Sequence, residues 1–170
     1  QETKIAQSII LGVGGAKLID ELGFEPEIYH LNEAHGLSAA FHLYEKYKNV
    51  DEVRKRMVFT THTPVAAGNE KHNINELEKM SFFQSIALDE VRKITGIQDD
   101  VFDHSLVALR LSKIANGVSA IHGNVARKMW GKYEGIAPII SITNSQNKKY
   151  WADEKMDKAA LDNNISALES

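Results

Sequence analysis

The sequence contains no cysteine and no long hydrophobic run, and each absence excludes a class of protein. Without cysteine, neither a disulfide framework nor a thiolate metal site can form. The longest apolar run, Ile136–Ile142, has the length of a strand and falls far short of the roughly 18 residues that a membrane-spanning helix needs. We therefore expect a cytoplasmic protein.

An excess of basic charge is also lacking. The 20 Lys and Arg residues against 23 Asp and Glu residues give a net charge of −3. Nucleic acids and anionic membranes attract basic surfaces, so neither is an expected partner. Hydrophobic residues make up 43% and charged residues 25% of the 170 residues, which is typical of a globular protein with its own core.

Four short segments have the apolar, β-branched composition of buried strands, and helical patterns lie between them. The predicted strands are Pro26–Leu31, Met57–Thr61, Val118–Ile121 and Pro138–Ile142. The predicted helices run from residue 5 to Gly23 and over Ala34–Tyr47, Ser81–Thr95, Asp103–Asn116 and Asn124–Trp130, and residues 64–77 have the composition of a long loop. This alternation predicts an α/β fold, a doubly wound, mostly parallel sheet with helices on both faces. We expect one Rossmann-like domain over residues 1–151, followed by a polar helix or tail over residues 152–170.

Polar residues follow each of the four predicted strands. Ligands of doubly wound sheets bind at the carboxyl ends of the strands, so these residues should share one edge. The candidate binding residues at this edge are Asn32, Glu33, His35, His62, His122 and Asn144.

Familiar catalytic and cofactor motifs are missing. The glycines of Gly12–Gly15 follow a helical pattern rather than a strand, so we expect them to permit close helix packing and not to bind a dinucleotide. The seven histidines form no His-Glu-x-x-His motif, and no metal site is expected. No Gly-x-Ser-x-Gly motif marks a nucleophile. A pair of carboxylates spaced for glycoside hydrolysis is an alternative that stays open.

Four strings of residues carry a resemblance to a known family. They are HLNEAHGLSAAFHLYE (His30–Glu45), VFTTHTPVAAGNE (Val58–Glu70), LRLSKIANGVSAIHGNVARKMW (Leu109–Trp130) and ITN followed by a tryptophan (Ile142–Trp151). In order and spacing they resemble the α-glucan (glycogen/maltodextrin) phosphorylases, especially the shorter bacterial and archaeal type. They cover about two-thirds of the chain.

This resemblance implies part of the N-terminal domain of a two-domain GT-B transferase. Such enzymes use pyridoxal phosphate and transfer a glucosyl unit from an α-1,4-glucan to inorganic phosphate, which gives glucose 1-phosphate. By the resemblance, His122 contacts the glucosyl unit, Glu33 and His35 line the glucan side of the cleft, and His62 gives mainly structural support. Asn32 and Asn144 lie in the same matching strings and are expected to bind substrate.

The sequence departs from the family pattern at two positions and lacks one region. Asn124 replaces a glutamate, and Ser145 replaces a glycine. The motifs of the family's second domain, with its pyridoxal lysine and phosphate-binding residues, are missing. We therefore expect a fragment that starts at Gln1 within a longer protein, is inactive alone, binds no cofactor itself and needs a C-terminal domain. Homo-oligomerisation stays open, as do two alternatives: a nucleotide-sugar glucosyltransferase of glycogen-synthase type, and a non-catalytic glucan-binding or interaction module.

Overall fold

A computed structural model describes residues 1–163 and has a four-stranded parallel sheet at its centre. The strands are β1 (Tyr29–Asn32), β2 (Met57–Thr61), β3 (Lys71–Asn73), β4 (Val101–Asp103), β5 (Ile114–Gly117) and β6 (Ile139–Ser141). The parallel sheet has the order β1-β2-β5-β6, and β3 pairs with β4 in a separate antiparallel sheet. The predicted α/β class with a mostly parallel sheet is confirmed.

Helices flank this sheet. They are α1 (Glu2–Ile9), α2 (Gly15–Glu21), α3 (Ser38–Tyr47), α4 (Val50–Arg56), α5 (Ile74–Lys79), α6 (Leu88–Thr95), α7 (His104–Arg110), α8 (Ala120–Trp130), α9 (Lys148–Trp151) and α10 (Glu154–Leu161). Single turns of π-helix (Ile10–Gly14) and 3-10 helix (Ala34–Gly36 and Ala66–Gly68) complete the set. Within residues 1–163, no helix is long and apolar enough to cross a membrane. Of the predicted polar tail, residues 164–170 lie outside the described residues.

The strand register places one apolar row across the whole sheet. Leu31 pairs with Phe59, Phe59 with Ala115 and Ala115 with Ile139, and all four side chains are buried. Because side chains alternate along a strand, the residues before and after this row project to the other face. That face carries the polar residues His30, Thr60 and Asn116, described below.

Aromatic rings fill the core beside α3. Phe41, Phe82, Phe83 and Phe102 are at most 1% exposed, and Phe41 meets Phe83 edge to face with 4.8 Å between ring centroids. Edge-on aromatic pairs contribute about 0.5–1.5 kcal/mol each beyond their buried area. This cluster therefore fixes α3 against the segment that contains α6 and β4.

The predicted strand Val118–Ile121 is wrong. The strand here is β5, which lies four residues earlier, and Ser119 caps the start of α8 by accepting a hydrogen bond from the His122 amide. The predicted helix Asp103–Asn116 accordingly stops at Arg110. Its apolar spacing suits a helix, but pairing with β2 overrides that preference, beginning with the bond from Lys113 N to Met57 O of 2.8 Å. Asp103 caps the start of α7 by accepting a hydrogen bond from the Leu106 amide (3.1 Å).

Three other segments differ from the sequence predictions. The first strand starts at Tyr29 rather than at Pro26. The predicted helix Ser81–Thr95 begins only at Leu88, since Ser81 and Gln84 have positive φ angles that a helix does not allow. The predicted loop over residues 64–77 contains β3 and the start of α5.

Gly12 lets the first helix lie directly against α3. A Cβ atom on Gly12 would come 2.7 Å from the Ala39 nitrogen and would also collide with the Ser38 hydroxyl. That hydroxyl donates to Ser8 O (2.9 Å) and accepts from Val13 N (3.1 Å), which ties the two helices together. The predicted role in close helix packing is confirmed for Gly12, whereas an added Cβ atom at Gly14 or Gly15 would meet no close neighbour.

Candidate functional site

The carboxyl ends of the four parallel strands form one edge of the sheet. Asn32, Thr61, Gly117 and Ser141 are the last residues of β1, β2, β5 and β6, so the residues that follow them lie along this edge. Ligands of open α/β sheets bind at such an edge. Of the site residues predicted from the sequence, Asn32, Glu33 and His62 end or directly follow a strand, His35 and Asn144 lie in the segments that come next, and His122 lies in a helix.

Glu33 connects the end of β1 to the end of β2. Its backbone has φ 57° and ψ −178°, a conformation that is almost exclusive to glycine. Its amide donates to Thr60 O (2.9 Å), and its Oε1 accepts hydrogen bonds from the His62 amide and the Thr63 hydroxyl, the latter at 3.0 Å. Glu33 is therefore held at three points and in turn fixes the turn that follows β2.

Three polar side chains cross the sheet just below this edge. The Thr60 hydroxyl donates to Asn116 Oδ1 (2.7 Å) and accepts from His30 Nε2 (2.6 Å). Since Thr60 and Asn116 are buried, leaving either hydrogen bond unmade would cost about 1–3 kcal/mol. Neither residue was predicted from the sequence to belong to the site, although a threonine or an asparagine inside an apolar segment is a signal of such a role.

Glu33 and His35 line a small cleft with the loop after β2. The other lining residues are Ala34, Thr63, Gly68, Asn69, Glu70 and Ser105. Ser105 donates to Asn69 Oδ1 (2.7 Å), and Asn69 donates to Val65 O (3.0 Å), so the loop is pinned to the start of α7. Sequence reasoning also missed this pair, because 36 residues separate Asn69 from Ser105.

A second cleft of about 340 Å³ adjoins the first. His35 and Glu70 line both, and Lys4, Gln7, Ser8 and Leu11 of the first helical region line the second. The side chain of His35 is exposed between the two. The two clefts near β1 thus share His35 and Glu70, and their lining includes histidine, carboxylate and amide groups beside apolar surface.

His122 lies in the first turn of α8, not at a strand end. Its side chain is only 8% exposed, and Nδ1 accepts a hydrogen bond from Val118 N at 3.3 Å. A ring whose Nδ1 accepts carries its proton on Nε2 and is uncharged. Nε2 is buried and has no partner among the described residues. The site therefore contains an unused N–H donor.

The remaining predicted residues are exposed on the edge. His62 is joined to Glu33 through its backbone only, and its imidazole makes no hydrogen bond to the described part of the chain. The side chain of Asn32 is exposed as well. Asn144 is tied to the start of α8 by the bond from its amide to Val118 O (3.1 Å). The structure thus forms two clusters, Glu33–His35–His62 and His122–Asn144, and within residues 1–163 no hydrogen bond joins them.

Similar proteins are found along nearly the whole chain. The maltodextrin phosphorylase of Thermococcus litoralis is 34% identical over 172 residues, which cover 92% of this chain and 21% of the relative. The glycogen phosphorylase of Aquifex aeolicus is 30% identical over 168 residues, 89% of this chain and 24% of the relative. This chain is a relative of the α-glucan phosphorylases.

The phosphorylase resemblance inferred from the sequence is thereby confirmed. An uncharacterized protein of Methanocaldococcus jannaschii is 40% identical over 164 residues, 96% of this chain and 31% of that protein. The chain spans between about a fifth and a third of the length of these three relatives. No protein-family model matches it.

The described residues do not fit the cofactor that the phosphorylase resemblance implies. A lysine that holds pyridoxal phosphate as a Schiff base is activated by a desolvated setting. Every lysine whose side chain is described is exposed to solvent. Likewise, among residues 1–163 no group of three or more His, Asp or Glu side chains is placed to hold a metal ion.

Proposed function

We propose that this chain forms part of an α-glucan phosphorylase and that the carboxyl edge of its sheet is the wall that faces the glucan. The complete protein would transfer the terminal glucosyl unit of an α-1,4-glucan to inorganic phosphate. The observation that carries the proposal is the meeting of Glu33, His35 and His62 at one edge, in a chain of which about nine-tenths aligns with named phosphorylases.

The chemistry of the first cluster suits a polyhydroxyl ligand. Oε1 of Glu33 is used within the protein, whereas Oε2 has no partner among the described residues and keeps its lone pairs for a sugar hydroxyl. The exposed imidazoles of His35 and His62 can each donate or accept a hydrogen bond. Vicinal hydroxyls need such planar partners that bind at two points, and the amide of Asn32 adds one more.

His122 would serve the same substrate in a different way. Its unused Nε2–H can donate to an oxygen of the glucosyl unit, and because the ring is uncharged it adds no positive charge beside an oxocarbenium-like transition state. A preorganised donor in a buried setting stabilises a transition state more than a solvated donor does. Asn144, which is bound to the same Val118 segment, would support this position.

Phosphate and pyridoxal phosphate would bind to residues outside this chain. The exposed lysines of the described part offer no enclosed site for the cofactor. We accordingly assign this chain the binding and orientation of the glucan, and the chemistry to the complete phosphorylase.

Titration of the ¹⁵N-labelled chain with maltopentaose tests glucan binding. We expect the amides of Glu33, His35 and His62 to shift, with a dissociation constant in the millimolar range, about 4 kcal/mol of binding free energy. Affinity is expected to be weak because phosphorylase sites depend on closure of a second domain over the sugar. The β-1,4-linked cellopentaose is the matched control and should cause no shifts at this edge.

Two outcomes would contradict the proposal. Shifts that leave the Glu33–His35–His62 cluster untouched would place the glucan elsewhere. Micromolar binding by the isolated chain would favour the alternative of a dedicated glucan-binding module, since a half-site should not reach that affinity.

A further inference from the structure

The turn Thr61–Thr63 after β2 holds His62 at the sheet edge with few contacts of its own. The imidazole of His62 is exposed, so its position depends on the backbone. Within the turn, the amide of Thr63 reaches only the Thr61 hydroxyl, at 3.3 Å. Thr61 is also the last residue of β2 and pairs with Gly117 of β5, whereas His62 and Thr63 are bonded to Glu33, which accepts from the His62 amide and the Thr63 hydroxyl.

Glu33 reaches this turn only because its own backbone is strained. With φ 57° and ψ −178°, a residue that has a side chain occupies a region that is otherwise almost exclusive to glycine. Such conformations persist where the surroundings impose them, and they concentrate at functional sites. Here the backbone of Glu33 is held by the bond from its N to Thr60 O, and its carboxylate lies at the neighbouring strand end.

We infer that Glu33 is a positioning residue, which uses its strained backbone and one carboxylate oxygen to fix the Thr61–Thr63 turn and thereby place His62 against the sugar. The inference deepens the proposed function, on which the sugar contact rests. It separates the two oxygens of Glu33: Oε1 holds the turn, and Oε2 faces the cleft. It also explains a carboxylate at a position where the backbone favours glycine.

Amide hydrogen exchange at His62, measured on the complete 170-residue chain without a ligand, tests the inference. In Glu33→Ala, the His62 amide loses its carboxylate acceptor and should exchange about 10- to 100-fold faster. Glu33→Gln keeps an oxygen acceptor at the same place and should retain most of the protection. Glu70→Ala is the matched control, because Glu70 lines the same cleft and its carboxylate has no hydrogen bond among the described residues.

The amide of Phe59, in the buried part of β2, reports on global opening. Unchanged exchange at His62 in Glu33→Ala would overturn the inference. An acceleration that Phe59 shares equally would also overturn it, because Glu33 would then support the fold rather than the turn. No glucan takes part in this measurement, so a failure of glucan binding and a failure of this inference are distinguishable.

A comparison of the melting temperatures of two Glu33 variants gives a second test, which still discriminates if one of the two fails to fold. Removal of the carboxylate is common to Glu33→Ala and Glu33→Gly, but only alanine keeps the Cβ atom that strains this backbone. We expect the glycine variant to melt at a higher temperature than the alanine variant, the reverse of the usual order. An alanine variant as stable as the glycine variant would contradict the inference that the backbone at Glu33 is strained.

Discussion

At the scale of single residues, His122 makes the clearest catalytic prediction. In a phosphorylase-length protein that contains this sequence, His122→Ala should lower kcat by about 10²–10³-fold and change the KM for glucan much less. The reason is that the buried Nε2–H, which has no described partner, would act mainly on the transition state. Steady-state kinetics with maltodextrin and phosphate would measure both constants. If the variant unfolds while its folded fraction keeps full specific activity, His122 is only a core histidine.

His62→Ala provides the contrast. The sequence indicated mainly structural support, but the imidazole is exposed and makes no described hydrogen bond. We therefore expect the melting temperature to stay within about 2 °C of the parent, as for most surface substitutions. Calorimetry would measure the melting temperatures of His62→Ala and His122→Ala. A large loss of stability in His62→Ala would show that His62 has the structural role that the sequence indicated.

At the scale of elements, contact between the first helical region and α3 should depend on one glycine. Gly12→Ala puts a methyl group into the backbone at Ala39, and such overpacking typically costs about 1–3 kcal/mol. Gly15→Ala is the matched control, since no atom lies within 4 Å of its added Cβ and alanine favours a helix by up to about 1 kcal/mol. Urea denaturation should show opposite signs for the two variants. Equal changes in the unfolding free energy of the two variants would contradict the close approach of Gly12 to α3.

His72 of β3 and His104 at the start of α7 form a buried pair, and protonation of His104 should destabilise the fold. His72 Nδ1 and His104 Nε2 are 2.9 Å apart, and burial, with smaller effects from His72 and His35, lowers the pKa of His104 from 6.5 to about 3. The unfolded chain therefore takes up this proton first, at about pH 6.5. The stability that neutral His104 contributes is complete above that pH and is lost as the pH falls towards 3.

Urea denaturation of the parent and of His104→Phe at several pH values would measure this effect. Between pH 6.5 and about 3, the unfolding free energy of the parent should decrease by up to about 1.4 kcal/mol per pH unit more than that of the variant. Phenylalanine suits the site because Phe82 and Phe102 already pack edge-on against the His104 ring. Parallel pH profiles for the two proteins would show that His104 is not the titrating group.

At the scale of the whole molecule, the sequence predicted the class of the fold better than its boundaries. Met57–Thr61 was placed correctly because it is an uninterrupted run of apolar and β-branched residues between polar ones. β5 was not, since Ile114–Gly117 continues the apolar spacing of α7 and becomes a strand only by pairing with β2. β3 and β4, of three residues each, are too short to show an alternation at all.

The candidate site, like the fold, was predictable from the sequence only in part. Residues that directly follow strands could be placed on one edge from the parallel topology alone, as Glu33 and His62 show. The supports beneath them could not, because Thr60 and Asn116 are 56 residues apart and meet only in the folded sheet. Nor does a sequence pattern reveal that the backbone of Glu33 is strained.

The last prediction concerns the chain as a separate unit: it should not form a stoichiometric Schiff base with pyridoxal phosphate. A lysine that does so selectively is usually deprotonated by burial or by a neighbouring cation, and every lysine side chain described here is exposed. Borohydride reduction in the presence of the cofactor, followed by intact-mass and peptide analysis, should reveal only substoichiometric adducts spread over many lysines. Free lysine methyl ester at matched concentration gives the background reactivity of an exposed amine. One adduct per chain at a single lysine would mean that this chain contains a cofactor site of its own, and the proposed division between glucan binding here and chemistry elsewhere would have to be abandoned.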